Sequence, residues 1–229
     1  MRCTIGVDIG TSSSKGVLVD ADGAILAQAT RTHEVSRPRT GWVEMDGGIW
    51  WDEFVSLARE LRAAVPDAEI AAVGVSGMGP CILLVDAAGE PVRPAVLYGV
   101  DTRAGEQIAR MTADLGVAEI TRVGGSVLTS QAAGPKILWI HDEDPGAWER
   151  ARRLFMPASW LAHRLTGAYV LDHQSASQVS PLYDIEHERW HDEWWQRYAA
   201  PLEQPALLWA GGVAGLVTAE AALVTGIPE

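Results

Sequence analysis

Only two cysteines occur in the 229 residues. That scarcity excludes a disulfide framework and a zinc knuckle, both of which need more thiols at fixed spacing. Cys3 and Cys81 sit in apolar, strand-like runs and are expected to be buried thiols, packing as small hydrophobic groups. Long hydrophobic runs are also missing. None approaches the roughly 18 residues that would suggest a membrane span, and Asp8 interrupts the start too early for a signal-peptide core, so the expected location is the cytoplasm. Positive charge is in short supply: 18 Lys and Arg stand against 30 Asp and Glu, a net charge of −12. With no basic stripe to offset it, such a surface repels nucleic-acid backbones and anionic membranes. Any phosphate ligand must be gripped by local groups against the overall field. What remains is the composition of a soluble globular protein, 48% hydrophobic and 21% charged.

The opening segment reads as a meander of strands. Thr4 to Ile9 is apolar and β-prone, Gly10 to Ser14 is a turn cluster, and Lys15 to Asp20 is again strand-like. Asp22-Gly23 is a hairpin signal, and Ala24 to Val35 supplies a third strand. A helix follows, with Asp46 as N-cap and a stripe of Trp50, Phe54, Leu57 and Leu61 at helical spacing. Ile70 to Ser76 is almost wholly apolar, as buried strands are. Gly77 to Pro80 breaks it and Cys81 to Val85 resumes it, while Ala95 to Tyr98 is a further short strand. Helices are expected from Asp101 towards Leu115, from Pro135, over Ala158 to Leu165 with a stop at Thr166-Gly167, and over Trp190 to Tyr198. Hairpin strands first, then strands alternating with helices, predict one α/β domain with a mixed sheet.

The stretch richest in chemistry is Asp8-Ile9-Gly10-Thr11-Ser12-Ser13-Ser14-Lys15. A carboxylate ends a strand, a small hydroxyl-rich turn follows, and a cation starts the return strand. Small residues let backbone N–H groups approach phosphate oxygens, and hydroxyls add donors. Asp8 is suited to hold Mg²⁺ through water, because that ion keeps much of its hydration shell, and Lys15 can offset phosphate charge. The stretch is neither a Walker A loop nor a dinucleotide fingerprint, since both need a helix straight after the turn. An ordinary hairpin with a polar turn would have the same letters.

Asp-x-Gly-Thr-Ser at the turn of a first hairpin resembles the first phosphate loop of the sugar-kinase and actin superfamily. Three further segments resemble the FGGY carbohydrate kinases, which include xylulokinases and glycerol kinases. They are Gly41 to Asp46 with Trp50-Trp51, Pro94 to Tyr98 leading to Asp101-Thr102-Arg103, and Lys136 to Glu143, which is similar to the back half of a family signature. The front half departs from it, with Ala133 where Pro, Ser or Thr is usual. The resemblance implies a ribonuclease-H-like domain over residues 1–229, with a mixed β-sheet flanked by helices. It implies a second domain of similar fold beyond Glu229, with ATP, Mg²⁺ and a small sugar or polyol meeting in the cleft between the two. The family's catalytic base, an Asp in a Gly-rich segment, is expected after Glu229, so no residue here is assigned that role. Residues 1–229 alone are expected to be inactive. They are also expected to bare an apolar face where the second domain docks and so to self-associate, a homodimer being one such form.

By the same resemblance, Gly77, Met78, Gly79 and Pro80 occupy the segment that contacts substrate. Xylulokinases read Gly-Gln-Met-His there, and glycerol kinases carry Arg-Glu at the last two positions. Met78 and Pro80 keep no hydrogen-bonding side chain, which implies an altered specificity. Asp101 and Arg103 are candidates to hold sugar hydroxyls, although Asp is favoured at any helix N-terminus. Gln131 falls where glycerol kinases place a substrate-contacting Tyr. A non-catalytic, actin-like module that binds a nucleotide or sugar is the alternative; an Asp in the continuation of the chain discriminates between them. A third class comes from His187-Glu188-Arg189-Trp190-His191, which spells the zinc-peptidase signature His-Glu-x-x-His. That chemistry needs both imidazoles one turn apart on a helix. The acids Asp192 and Glu193 predict a helix that starts near Trp190 or His191, leaving His187 in the preceding loop.

Overall fold

A computed structural model describes all residues, 1–229. Three strands open the chain: β1 (Arg2–Ile9), β2 (Ser13–Asp20) and β3 (Ile25–Thr32). The β2–β3 turn forms at Asp22-Gly23. The Asp20 carboxylate accepts from the N–H groups of Asp22 and Ala24 at 2.9 Å each, and Gly23 takes φ +86°, a left-handed conformation that L side chains resist. The short strand β4 (Glu44–Met45) leads into helix α1 (Gly47–Ala64). Asp46 caps α1 by accepting from Gly48 N–H at 2.8 Å, satisfying one of the helix's free donors. Trp50, Phe54, Leu57 and Leu61 are buried as their spacing predicts. They pack on β2, where Gly16 leaves room: a Cβ there would lie 3.0 Å from Leu61 and 3.3 Å from Leu57.

Strand β5 (Glu69–Gly77) completes a four-stranded sheet in the order β3-β2-β1-β5. β1 pairs antiparallel with β2 and parallel with β5, so the sheet is mixed, as expected. β5 itself differs from expectation. It is an edge strand, and Ala71, Ala72, Gly74 and Ser76 are exposed. Its apolar letters indicate a strand, but burial depends on what lies beside it, and in the sheet only β1 pairs with it. Nor do Cys81 to Val85 resume that strand. β6 (Leu83–Val85) and β7 (Ala95–Val96) pair elsewhere, β7 with β4.

The rest of the chain is mostly helical: α2 (Gly105–Leu115), α3 (Val117–Gly124), α4 (Gly134–Glu143) and α5 (Pro145–Arg150), then β8 (Arg153–Phe155), which pairs with β6. Helix α6 (Pro157–Thr166) stops at Gly167 in the left-handed conformation, as predicted. β9 (Val170–Asp172), α7 (His173–Ser177), β10 (Tyr183–Asp184), β11 (Arg189–Trp190), α8 (Asp192–Tyr198), β12 (Ala206–Leu208) and α9 (Ala219–Thr225) complete the chain. Trp190 was expected in a helix but pairs with Tyr183 across the β10–β11 hairpin. Asp101 does not cap α2, which begins four residues later.

Two hydrophobic cores result. One lies between the four-stranded sheet, α1 and α6. The other gathers Met111, Ile137, Trp139, Trp148, Trp190 and Trp195 from the helical part. Both thiols are buried, Cys3 in β1 and Cys81 just before β6. No helix is long and apolar enough to cross a membrane.

Candidate functional site

The β1–β2 turn is tight because Gly10 makes it so. Its N–H donates to Ser13 O at 3.0 Å, and a Cβ on Gly10 would lie 2.8 Å from that same oxygen. The backbone N–H groups of Thr11 and Ser12 donate to no protein acceptor. Asp8, at the end of β1, pairs with Lys15 of β2 and with Ser76 of β5. Directly paired residues share a face of a sheet, so these three side chains stand together on its exposed side. Ser76 Oγ donates to Asp8 Oδ1 at 2.7 Å. That bond fixes the carboxylate and leaves Oδ2 free. A free carboxylate oxygen beside unpaired N–H groups suits a hydrated Mg²⁺ and phosphate.

Ser13 and Ser14 belong to β2 instead of the turn. Ser13 stays on the side of Lys15, but Ser14 requires a correction. Strand alternation turns it inward, where it is fully buried and its hydroxyl donates to Glu53 Oε2 at 2.5 Å. It supports the loop from behind and faces no ligand.

The expected substrate segment begins beside this loop. Met78 N–H donates to Ile9 O at 2.7 Å, bringing Gly77, Met78, Gly79 and Pro80 to the end of β1. Met78 is half-buried and Pro80 buried. Gly77 lies so close to Pro157 that a Cβ would be 2.7 Å from it. Tyr98 ties in the next segment, its hydroxyl 3.1 Å from Thr11 Oγ1. Gln131 Oε1 accepts from Gly99 N–H at 3.1 Å. Gln178 stands over Gly79, where a Cβ would lie 3.0 Å from its Oε1. Sequence reasoning missed Ser76, Tyr98 and Gln178, none of which stands in a motif with its partner.

Asp101 and Arg103 are in the neighbourhood but are committed elsewhere. Asp101 is 0% exposed. Its carboxylate accepts from Val43 N–H at 2.6 Å and from Arg103 through Nε and Nη2 at 2.7 to 3.0 Å. Arg103 also reaches Glu44 at 2.7 Å, lies 4.1 Å over the Trp42 ring, and is itself fully buried. Direct contact of either side chain with a sugar is therefore corrected to a supporting role, since both are enclosed and fully bonded. Lys136 is a further buried charge. Its Nζ donates to Leu97 O and Tyr98 O at 2.7 Å each. Burial lowers its pKa to about 8, with Asp101 opposing the shift.

The zinc motif does not assemble. His187 lies in the β10–β11 turn with Nδ1 2.9 Å from Asp184 Oδ2. His191 caps α8 through its ring at 3.4 Å from Trp194 N. The two imidazoles are thus not one turn apart on a helix, as that chemistry requires. No group of three His, Cys, Asp or Glu side chains is placed to hold a metal ion.

Comparison with known proteins gives the family and the fold. The profile of the FGGY family of carbohydrate kinases, N-terminal domain, matches residues 3–229. A xylulose kinase of Lactococcus lactis is 29% identical over 197 residues, covering 84% of this chain and 38% of that protein. A glycerol kinase of Nocardia farcinica is 33% identical over 214 residues, covering 90% and 42%. Among solved structures, xylulose kinase from Rhodospirillum rubrum superposes with a TM-score of 0.93 at 29% identity, over 99% of this chain and 47% of that one. The chain thus spans less than half the length of these relatives.

Proposed function

This chain belongs to the FGGY family of carbohydrate kinases, and from that premise we propose that residues 1–229 are the phosphate-gripping, sugar-facing N-terminal half of an ATP-dependent kinase for a small sugar or polyol. One observation carries the reading: a tight turn with two free N–H groups stands between a carboxylate and a lysine on one exposed face. Phosphoryl transfer depends mainly on positioning and on stabilising charge, and these residues offer both.

In this reading Thr11 and Ser12 bind phosphate oxygens through their N–H groups, and the Thr11, Ser12 and Ser13 hydroxyls add donors. Lys15 offsets phosphate charge within a chain of net charge −12. Asp8, oriented by Ser76, holds Mg²⁺ through water; the ion, when bound, neutralises charge on the transferring group. The substrate hydroxyl lies near Gly77 to Pro80, and the amides of Gln131 and Gln178 supply the polar contacts that Met78 and Pro80 cannot. The base that takes the hydroxyl proton belongs to the part of the protein beyond residues 1–229. Xylulose and glycerol are the substrates named for the relatives, so a panel should include both.

The test is sugar-dependent ADP release by the complete protein over pentoses, hexoses and polyols, with and without Asp8→Ala. The substitution should leave sugar binding unchanged and lower turnover by about 10²–10³, the scale of a lost charge-stabilising group. Near-normal turnover would remove Asp8 from the mechanism, and no ADP release with any substrate would remove the kinase reading.

A further inference from the structure

We propose that His33, Glu53 and Ser14 form a clamp that holds the carbonyl groups of the Gly10–Ser12 turn inward, so that its N–H groups stay aimed at a nucleotide phosphate. The inference rests on the kinase reading. His33 follows β3 and grips the turn twice. Its backbone N–H donates to Ser12 O at 3.1 Å, and its ring Nε2 lies 3.0 Å from Gly10 O. The other ring nitrogen, Nδ1, lies 2.9 Å from Glu53 Oε2 on α1. The same carboxylate oxygen accepts from Ser14 Oγ. The imidazole is 4% exposed and the Glu53 side chain 14%.

Buried polar groups cost stability unless they are hydrogen-bonded, and here every one is. Packing alone gives no reason for three polar side chains here. Their geometry does. A peptide plane whose carbonyl is fixed on one side presents its N–H on the other. With the Gly10 carbonyl drawn back by the His33 ring, the Thr11 N–H of the same peptide faces outward; the Ser12 carbonyl, held by the His33 N–H, pins the far end of the turn, where the Ser12 N–H has no protein acceptor either, and such concave donor sets are what anions occupy. Both ring nitrogens of His33 face accepting oxygens, one a carbonyl and one a carboxylate. The ring is thus held at both ends behind the turn. His33, Glu53 and Ser14 touch no ligand and act as positioning residues.

The experiment compares wild type with His33→Phe, His33→Gln and Glu53→Gln in the complete protein. Calorimetric titration with Mg·ADP gives nucleotide affinity, and steady-state rates give the KM for ATP and for sugar separately. His33→Phe should weaken ADP binding and raise the ATP KM by up to about tenfold, the upper scale of one lost hydrogen bond. The sugar KM should stay within about twofold, because the sugar-facing residues lie outside the clamp. His33→Gln can still donate to Gly10 O and should recover most of the affinity. Lower thermal stability with unchanged nucleotide parameters would overturn the clamp and leave a merely structural role. If His33→Phe does not fold, Glu53→Gln decides: unchanged ADP affinity there overturns the clamp equally. A wild-type protein that binds Mg·ADP but phosphorylates no sugar would sink the kinase reading, while calorimetry still decides the clamp. One that binds no nucleotide sinks both.

Discussion

Replacing Asp101 by Ala should unfold the protein more readily and should not simply weaken its grip on a sugar. The carboxylate is fully buried and answers two needs at once, the Val43 N–H at 2.6 Å and the Arg103 guanidinium. Without it, Arg103 keeps only Glu44, which Arg93 already shares at 2.6 Å, and Lys136 loses its nearest compensating charge. Breaking a buried pair by removing one partner costs about 3–5 kcal/mol, of which roughly 1–3 kcal/mol is the penalty of an orphaned buried donor such as Val43 N–H. Against a total stability of roughly 5–15 kcal/mol, that is a large fraction. Asp101→Asn keeps an acceptor of the same shape and should cost less. Urea unfolding followed by tryptophan fluorescence gives the answer: at a slope of about 2 kcal/mol per molar, the midpoint of Asp101→Ala should fall by ~1.5–2.5 M. A midpoint within about 0.2 M of wild type, together with a raised sugar KM, would refute the argument and return Asp101 to direct contact with substrate.

Other perturbations test the neighbouring features. Lys136 has a folded-state pKa of about 8, below its unfolded value of about 10.4. The unfolded chain therefore binds more protons between these values, so the burial penalty is complete below pH 8 and is relieved as pH rises. The stability difference between wild type and Lys136→Met should shift in favour of wild type by about 1–2 kcal/mol between pH 7.5 and 9.5, and a flat difference in urea titrations would contradict this. Burial pushes the Cys81 thiol up to about 12, so native protein at pH 8 should resist thiol reagents until denatured; rapid labelling of Cys81 would count against the core packing. Gly10→Ala drives a Cβ to 2.8 Å from Ser13 O and should weaken Mg·ADP binding by about tenfold or more with sugar binding intact. Unchanged ADP affinity would mean that the turn is not the phosphate site.

The features legible in the sequence are those fixed by neighbours along the chain. The β1–β2 hairpin follows from a run of β-prone residues, a glycine turn and a second such run. Helix α1 follows from a capping Asp46 and a stripe with helical period. Ser14 was misread by one position: counted in the turn it would face a ligand, but the first residues of β2 alternate, and a shift of one residue moves a side chain to the other face. The burial of Asp101 was not legible, because Val43, its partner, and Glu44, the partner of Arg103, lie 58 and 59 residues from them along the chain. The exposure of β5 was hidden for a similar reason, since its letters report a strand and not what stands beside it. The substrate segment shows why reading a motif in isolation fails. Met78 and Pro80 lack polar groups, and the segment looked stripped of recognition. Yet Gly79 and Gly99 lack side chains altogether, and into the space each leaves the fold brings an amide from elsewhere, Gln178 and Gln131. A glycine in a sequence records only room. Which group fills it is decided by elements that pack from far along the chain, and hydrogen-bonding capacity lost from one segment can return from another.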